Sequence, residues 1–253
     1  GGSRMKQNKR VIIKLAVLLF WLGVWQGVYM LVKEEILVVS PLQVADKIIA
    51  LIKETAFWKT VAMTFLRIIG GYVSGVIFGV LFSCLMSASR VMKELLSPLL
   101  SLAKAVPVAS FIILALVWIK KDYLPVFITF LIVLPIVCAN VTEGISSVER
   151  VHLEVARVYK LGFFGTVRAV YFHSILPSFA AAATTSLGLA WKSGVAAEVI
   201  AMPQMSVGYN LYRSKINIET ADLFAWTIVV VILSVILEKL IKKLIVKISK
   251  GKV

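Results

Sequence analysis

The chain has 253 residues, of which 60% are hydrophobic and only 16% are charged, and its formal net charge is +15. A soluble globular protein averages about 45–50% apolar and about 25% charged residues, so this composition excludes that class and indicates an all-α polytopic membrane protein. The short alternating segments of a membrane β-barrel are absent from the sequence.

Six membrane spans are predicted from the long apolar runs. An uncharged run of about 18 residues or more is long enough to cross the bilayer core as a helix. The spans are placed at residues 11–32, 61–88, 95–119, 124–142, 175–199 and 223–237. Residues 1–4, ahead of Met5, have the character of a cloning remnant. Residues 5–253 are then expected to form one transmembrane domain, with its core at 60–240.

The charges are distributed unevenly among the loops. If both termini lie inside, the internal segments 1–14, 89–94, 143–173 and 238–253 hold 17 Lys and Arg against 5 acids, and the external segments 33–60, 120–123 and 200–222 hold 8 against 7. Because basic residues concentrate on the cytoplasmic side, both termini are predicted to be cytoplasmic. The basicity is then explained by topology and by contact with anionic lipid, and no nucleic-acid partner is expected.

The second span carries a stripe of small residues at four-residue spacing, formed by Gly71, Gly75, Gly79, Ser83 and Ser87. Small side chains on one helix face let another backbone approach closely. Packing within the subunit is the favoured interpretation, and contact with a second copy is the alternative.

Several charged residues lie within the predicted spans. Lys104 falls near the middle of the third span, and Lys192 and Glu198 fall in the outer part of the fifth. A charge near the bilayer centre costs several kcal/mol unless it faces protein or water. One interpretation is that Arg67 and Lys192 extend outwards, or that the groups pair between helices. The alternative is a translocation path lined by Lys104, Trp191, Lys192 and Glu198, whose lysines attract an anionic substrate.

The loop between the fourth and fifth spans, residues 143–173, is the largest internal one. From Glu149 to Leu161, Val151, Val155, Val158 and Tyr159 recur at three- and four-residue spacing among charges, which predicts a short amphipathic helix. Gly162 is predicted to stop that helix. Such a helix lies in the lipid headgroups or docks into a groove on a cytoplasmic partner.

Other reactive residues show no pattern that predicts chemistry. His152 and His173 have no partners at ligand spacing, so no metal site is predicted. Cys84 and Cys138 lie inside apolar runs, where each is expected to be buried as a small hydrophobic residue. The sequence contains no Walker-type phosphate loop, so the chain is not expected to hydrolyse ATP by itself.

The loop resembles a known motif. Glu154-Val155-Ala156, followed by Gly162 and later by Ile175-Leu176-Pro177, resembles the EAA loop of ABC importer permeases, with Val155 where that loop usually has Ala and Lys160 where it has Gly. Three further stretches resemble permeases of the nitrate/sulfonate/taurine type, in the same order along the chain: TFLRIIGGYVSGVIFGVLFSCLMS (64–87), SPLLSLAKAVPVASFIILALVWI (97–119) and LGLAWKSGVAAEVIAMP (187–203). In the second of these, Lys104 stands at the family's Arg position.

The resemblance implies a fold and a function. The chain would be the inner membrane component of a binding-protein-dependent transport system, with the MetI-like type I fold, in the bacterial cytoplasmic membrane. Its coupling helix would contact a separate ATPase dimer, which binds the ATP and Mg, through Glu154, Ala156, Arg157, Lys160 and Gly162. A substrate-binding protein would deliver the solute, and two permease copies would form a homodimer. No cofactor is implied for the chain itself.

Two other classes of function are weighed against this one. An ion-coupled secondary transporter usually has more spans and internal repeats, and a membrane-embedded enzyme needs a constellation of His, Asp or Ser inside its spans. Neither pattern is present in the sequence. The substrate stays open between a small sulfonate-, nitrate- or taurine-like anion and a vitamin precursor such as an aminopyrimidine.

Overall fold

The computed structural model of the chain describes residues 2–250, with side chains from residue 12 to residue 243. These residues form helices and no β-strand. The helices are α1 (Gly2–Val32), α2 (Pro41–Lys53), α3 (Thr55–Ala88), α4 (Arg90–Ala105), α5 (Val108–Ala115), α6 (Leu124–Ser146), α7 (Arg150–Val158), α8 (Phe163–Thr166), a π-helical turn (Val167–Tyr171), α9 (Phe172–Ala201), α10 (Val207–Ile216) and α11 (Thr220–Lys250).

Four of the described helices are long and apolar enough to cross a membrane, namely α1, α3, α6 and α11. They correspond to the first, second, fourth and sixth predicted spans. The fifth predicted span is the 30-residue helix α9, which is not among these four because Ala, Ser, Thr and Gly occupy much of its length.

The third predicted span is wrong as a single helix. The segment forms α4 and α5, which are bent by 105° at the break between them. Val106 has an extended backbone, with φ −72° and ψ 128°, because the ring of Pro107 disfavours a helical conformation in the residue before it. The break leaves Lys104 in the last turn of α4.

Two helices, α2 and α10, lie in segments predicted to be external loops. The start of α2 is held by a reciprocal capping box. The Ser40 hydroxyl accepts a hydrogen bond from the Gln43 amide at 3.2 Å, and the Gln43 side chain accepts one from the Ser40 amide at 2.9 Å. Pro41 at the first helical position is already suited to a helix start. The sequence Ser-Pro-Leu-Gln therefore carries a helix-start signal.

The chain divides into two compact units. The first comprises Gly1–Trp58 and Asn210–Val230. Its core is formed by Val39, Val44 and Ala225. The Trp25 indole N–H donates to the Val39 carbonyl at 3.0 Å, and its ring stacks on Phe224 with 5.9 Å between centroids.

The second unit comprises Lys59–Tyr209 and Val231–Val253. Within it α6 packs along α9. One buried cluster joins α5, α6 and α9 through Ile112, Leu124, Ile128 and Ala197, and another surrounds Leu100, Leu134 and Cys138. Cys138 is buried as expected, whereas Cys84 is exposed.

The small-residue stripe of α3 faces α6. Its members Gly71, Gly75 and Gly79 each meet an α6 residue. A Cβ atom added to Gly75 would lie 2.7 Å from the Cβ atom of Val133, which is well inside van der Waals contact. Further along the stripe, the Ser83 hydroxyl hydrogen-bonds the Thr142 hydroxyl at 2.9 Å. The stripe thus packs within the subunit, and α6 covers the face that the alternative interpretation assigns to a second copy.

Candidate functional site

An open cavity of about 450 Å³ lies among α4, α5, α6 and α9 in the second unit. Its lining includes Lys104 and Lys192. The rest of the wall is mostly apolar, with Val106, Val108, Ile132, Pro135, Ile136 and Leu189 beside the hydroxyl of Ser193. Ligand sites are typically concave and mostly apolar, with a few convergent polar groups. Two positive side chains in such a cavity favour a small anionic ligand.

Helix geometry explains why the two lysines share this cavity. On α9, the lining residues Leu189, Lys192, Ser193 and Ala196 are separated by three and four positions, so they lie on one helix face. The other lysine, Lys104, is in the last turn of α4, where unpaired carbonyl groups favour a cation. The lysines are far apart in the chain, and the packing of their helices brings them to one cavity.

The other two residues predicted for the translocation path lie elsewhere. Trp191 is 2% exposed, because neighbouring residues on a helix point about 100° apart and Lys192 takes the cavity side. Glu198 is fully buried. Its Oε2 atom accepts hydrogen bonds from the Thr64 hydroxyl at 2.9 Å and from the Gly208 amide at 3.2 Å. The assignment of Trp191 and Glu198 to the path lining is therefore corrected, since both side chains belong to the interior of the helix bundle.

Arg67 is 8% exposed and does not extend outwards. Its Nη1 atom lies 3.6 Å from Glu198 Oε1, and its Nη2 atom lies 3.4 Å from Asp122 Oδ1. Burying a charge is costly unless it is paired. The structure therefore supports the interpretation in which Arg67 and Glu198 pair between helices.

The helix α7 lies within the amphipathic segment predicted at 149–161, between α6 and α9. Its apolar residues Val151, Val155 and Val158 are exposed, Val158 by 79%. The charged residues Glu154 and Arg157 are exposed as well. An exposed apolar stripe on a short charged helix marks a surface that contacts lipid headgroups or a protein partner.

The end of α7 differs from the prediction that Gly162 stops it. The Leu161 amide donates to the Ala156 carbonyl at 3.0 Å, and the Lys160 amide donates to the Arg157 carbonyl at 2.9 Å. These two bonds form a Schellman motif, which requires a left-handed residue at the position of Lys160. Lys160 has φ 49°, at the position where the EAA loop has Gly. Gly162 instead precedes α8, with φ −66°, so the prediction for Gly162 is wrong.

The buried side of α7 faces the π-helical turn and the start of α9. Ala156 is 3% exposed, so it seats the helix and is not available as a docking contact, which corrects its assignment. His152 and His173, which have no partners in the sequence pattern, line one cavity of about 300 Å³ beside it. Among the residues whose side chains are described, no group of three or more His, Cys, Asp or Glu is placed to hold a metal ion.

Comparison with known proteins gives a family match and distant relatives. Residues 75–249 match the family model described as "Binding-protein-dependent transport system inner membrane component". A "Probable ABC transporter permease protein" of Brucella melitensis is 23% identical over 195 residues, which cover 77% of this chain and 79% of that protein. The "Bicarbonate transport system permease protein CmpB" of Synechococcus elongatus is 20% identical over 168 residues, which cover 66% of this chain and 60% of that protein.

Two solved structures share the fold. The inward-facing MetNI methionine ABC transporter superposes with a TM-score of 0.58 at 17% identity, covering 74% of this chain and 92% of that one. An amino acid ABC transporter with histidines superposes with a TM-score of 0.55 at 17% identity, covering 76% and 90%. At this level of identity the likeness concerns the fold alone.

Proposed function

The chain belongs to the family of inner membrane components of binding-protein-dependent transport systems, the permease subunits of ABC importers, and we propose that it carries a small organic or inorganic anion. The observation that carries the proposal is the cavity that Lys104 and Lys192 share. A bicarbonate permease among the relatives supports an anionic cargo. Nitrate, bicarbonate and sulfonates such as taurine are small enough for this cavity, and each carries a negatively charged group that the lysines would attract.

The transport cycle would proceed by alternating access. A separate ATPase dimer binds ATP and Mg on the cytoplasmic side, and a substrate-binding protein delivers the solute from outside. The exposed stripe of α7 then transmits closure of the ATPase to α6 and α9, between which α7 lies. A second copy of the chain completes the path on the open side of the cavity. The excess of basic residues in the internal segments supports cytoplasmic termini.

Transport in vesicles tests the anion proposal. The permease, the ATPase encoded beside it and the binding protein are reconstituted, and ATP-driven uptake of labelled bicarbonate, nitrate and taurine is measured. Lys104→Gln and Lys192→Gln each remove one positive charge from the cavity, so uptake should fall by about tenfold or more. Lys93→Gln on α4 is the matched control, because Lys93 does not line this cavity. Uptake at the wild-type rate in both cavity variants would refute the anion path.

A second experiment tests the role of α7. Glu154→Ala on α7 and Lys160→Glu in the turn that follows it change exposed side chains, so they should weaken association with the ATPase or abolish its coupling to uptake. Lys121→Ala, an exposed residue in the predicted external segment 120–123, should leave both unchanged. If no ATPase binds the wild-type chain and the α7 variants behave like it, the coupling role is wrong. Transport driven by an ion gradient would then have to be tested.

A further inference from the structure

A cluster of buried polar side chains holds one loop of the second unit, and neither the proposed path nor α7 uses it. The cluster is formed by Thr64 and Arg67 on α3 and by Glu198 on α9, and we name it the polar anchor. The loop is residues 202–206, between α9 and α10, and we name it the anchored loop. All of these residues belong to the second unit.

Thr64 connects the start of α10 to Glu198. Its hydroxyl accepts a hydrogen bond from the Val207 amide at 2.9 Å and donates one to Glu198 Oε2 at 2.9 Å. The same carboxylate oxygen accepts a bond from the Gly208 amide. The first amide groups of a helix have no partner inside the helix. Side chains of α3 and α9 satisfy two of them here and so fix where α10 begins.

Arg67 holds the loop backbone itself. Its Nη1 atom donates to the Met205 carbonyl and its Nη2 atom to the Gln204 carbonyl, both at 3.2 Å. The same guanidinium group faces the carboxylates of Glu198 and Asp122. Arginine presents several donors in a fixed plane, so one side chain can bind two consecutive carbonyl groups and two carboxylates. A lysine has a single nitrogen and cannot replace it in this arrangement.

Two residues of the anchored loop combine a left-handed backbone with an exposed side chain. Met202 has φ 52° and Met205 has φ 53°, and left-handed backbone is unfavourable for residues other than glycine. Both methionine side chains are exposed, whereas Pro203 between them is buried. Strained residues persist only where the surrounding structure fixes them, and they concentrate at functional sites. The hydrogen bonds from the polar anchor to the loop and to the start of α10 provide that constraint.

We propose that Thr64, Arg67 and Glu198 are positioning residues that hold the anchored loop so that Met202 and Met205 form a contact for the substrate-binding protein. This inference rests on the proposed function and on the predicted topology, which places residues 200–222 outside, on the side opposite to the ATPase. Thioether side chains are flexible and polarizable and pack against varied apolar surfaces. The partner surface is therefore an apolar patch of the binding protein.

The experiment measures ATPase activity of the reconstituted complex as the binding protein is titrated. Thr64→Val keeps the shape of the side chain but removes the hydroxyl that links Val207 to Glu198, and Thr64→Ser keeps that hydroxyl. We expect Thr64→Val to raise the half-maximal concentration of the binding protein about tenfold and to leave the basal ATPase rate unchanged. Thr64→Ser should behave like the wild type. A purely structural role of the anchor would instead lower the basal and stimulated rates together.

A second pair of variants keeps the inference testable if Thr64→Val fails to assemble. Replacing Met202 and Met205 together by Ser changes only exposed side chains of the loop, and should raise the same half-maximal concentration. Replacing the exposed Met63 of α3 by Ser is the control. Wild-type stimulation in the loop variant overturns the inference. Failure of the wild-type chain to co-purify with the ATPase refutes the proposed function itself, and is measured before any binding protein is added.

Discussion

Adding one methyl group at Gly75 tests how α3 packs on α6. In Gly75→Ala the new Cβ would lie 2.7 Å from Val133 Cβ and 2.9 Å from Val133 Cγ1. Carbon atoms in contact prefer about 3.5–4.0 Å. Since both Cβ atoms are fixed to their backbones, no rotamer of Val133 relieves this contact, and the two helices have to separate by about 1 Å. Overpacking of this kind costs about 1–3 kcal/mol.

The matched control is Gly70→Ala, earlier on the same helix. A Cβ there meets no atom within 4 Å. Alanine favours a helix over glycine by about 0.5–1 kcal/mol, a gain that both variants share. The difference between the two variants therefore isolates the packing cost, and Gly75→Ala should be less stable than Gly70→Ala by about 1–3 kcal/mol.

The assay is reversible unfolding of the purified chain in mixed micelles, followed by the fluorescence of its six tryptophans. Val133→Ala supplies a second comparison, because it removes Cγ1, one of the two Val133 atoms that the new methyl group meets, and keeps Cβ. Its destabilisation should be smaller in the Gly75→Ala background than alone, with a coupling energy of about 0.5–3 kcal/mol. Equal stabilities of Gly75→Ala and Gly70→Ala, or additive effects of the Gly75 and Val133 changes, would refute this close packing of α3 on α6.

Three further changes test other parts of the chain. Lys160→Gly removes the left-handed strain at the end of α7 and should stabilise that turn by about 1 kcal/mol, seen as slower hydrogen exchange of the Leu161 amide. Lys160→Val should make that exchange faster. The Thr129 hydroxyl is fully buried and has no hydrogen-bond partner among the described residues. Thr129→Val should therefore raise the free energy of unfolding by about 1–3 kcal/mol or less. A lower free energy of unfolding in this variant would mean that the hydroxyl is hydrogen-bonded. Ser40→Ala removes the cap of α2 and should cost about 0.5–2 kcal/mol, measured as faster exchange of the Gln43 amide, with Ser40→Asp as the control that keeps a cap.

Most of the spans could be predicted from the sequence because a long apolar run is the main requirement for a helix that crosses a bilayer. The break in the third span could not be predicted from hydropathy, because the two helices at 95–119 together are apolar enough for one span. Only the stereochemistry of Pro107 interrupts the helix. The short helices α2 and α10 are too small to give a hydropathy signal. Local signals exist in the Ser40 capping box of α2 and in Ser206, whose hydroxyl accepts a hydrogen bond from the Tyr209 amide at the start of α10. The bond from the Val207 amide to Thr64 has no such signal, because Thr64 is distant in the sequence.

The charged residues of the candidate site could be predicted from the sequence, but their arrangement in space could not. The sequence identifies Lys104, Lys192 and Glu198 as unusual because each places a charge in an apolar run. Which of them face a cavity depends on the rotation of each helix about its axis and on its partners. Trp191 and Glu198, which are close to Lys192 on α9, point into the bundle. Periodicity alone does not show which face of α9 is buried, because Ala, Ser and Thr occur on every side of the helix.

The way in which each intramembrane charge is stabilised separates the residues that hold the fold from those that are free to act on a solute. Arg67 and Glu198 form an ion pair at 3.6 Å, and each hydrogen-bonds nearby backbone groups inside the protein. An approaching anion would therefore have to compete with a preformed pair. Lys104 and Lys192 have no acidic partner within 4 Å among the described side chains, and both line the open cavity. Their electrostatic attraction is therefore available to a ligand, and the mostly apolar wall of the cavity strengthens that attraction. This difference is why uptake of an anion should depend on the two lysines, while Arg67 and Glu198 act through the position of a loop.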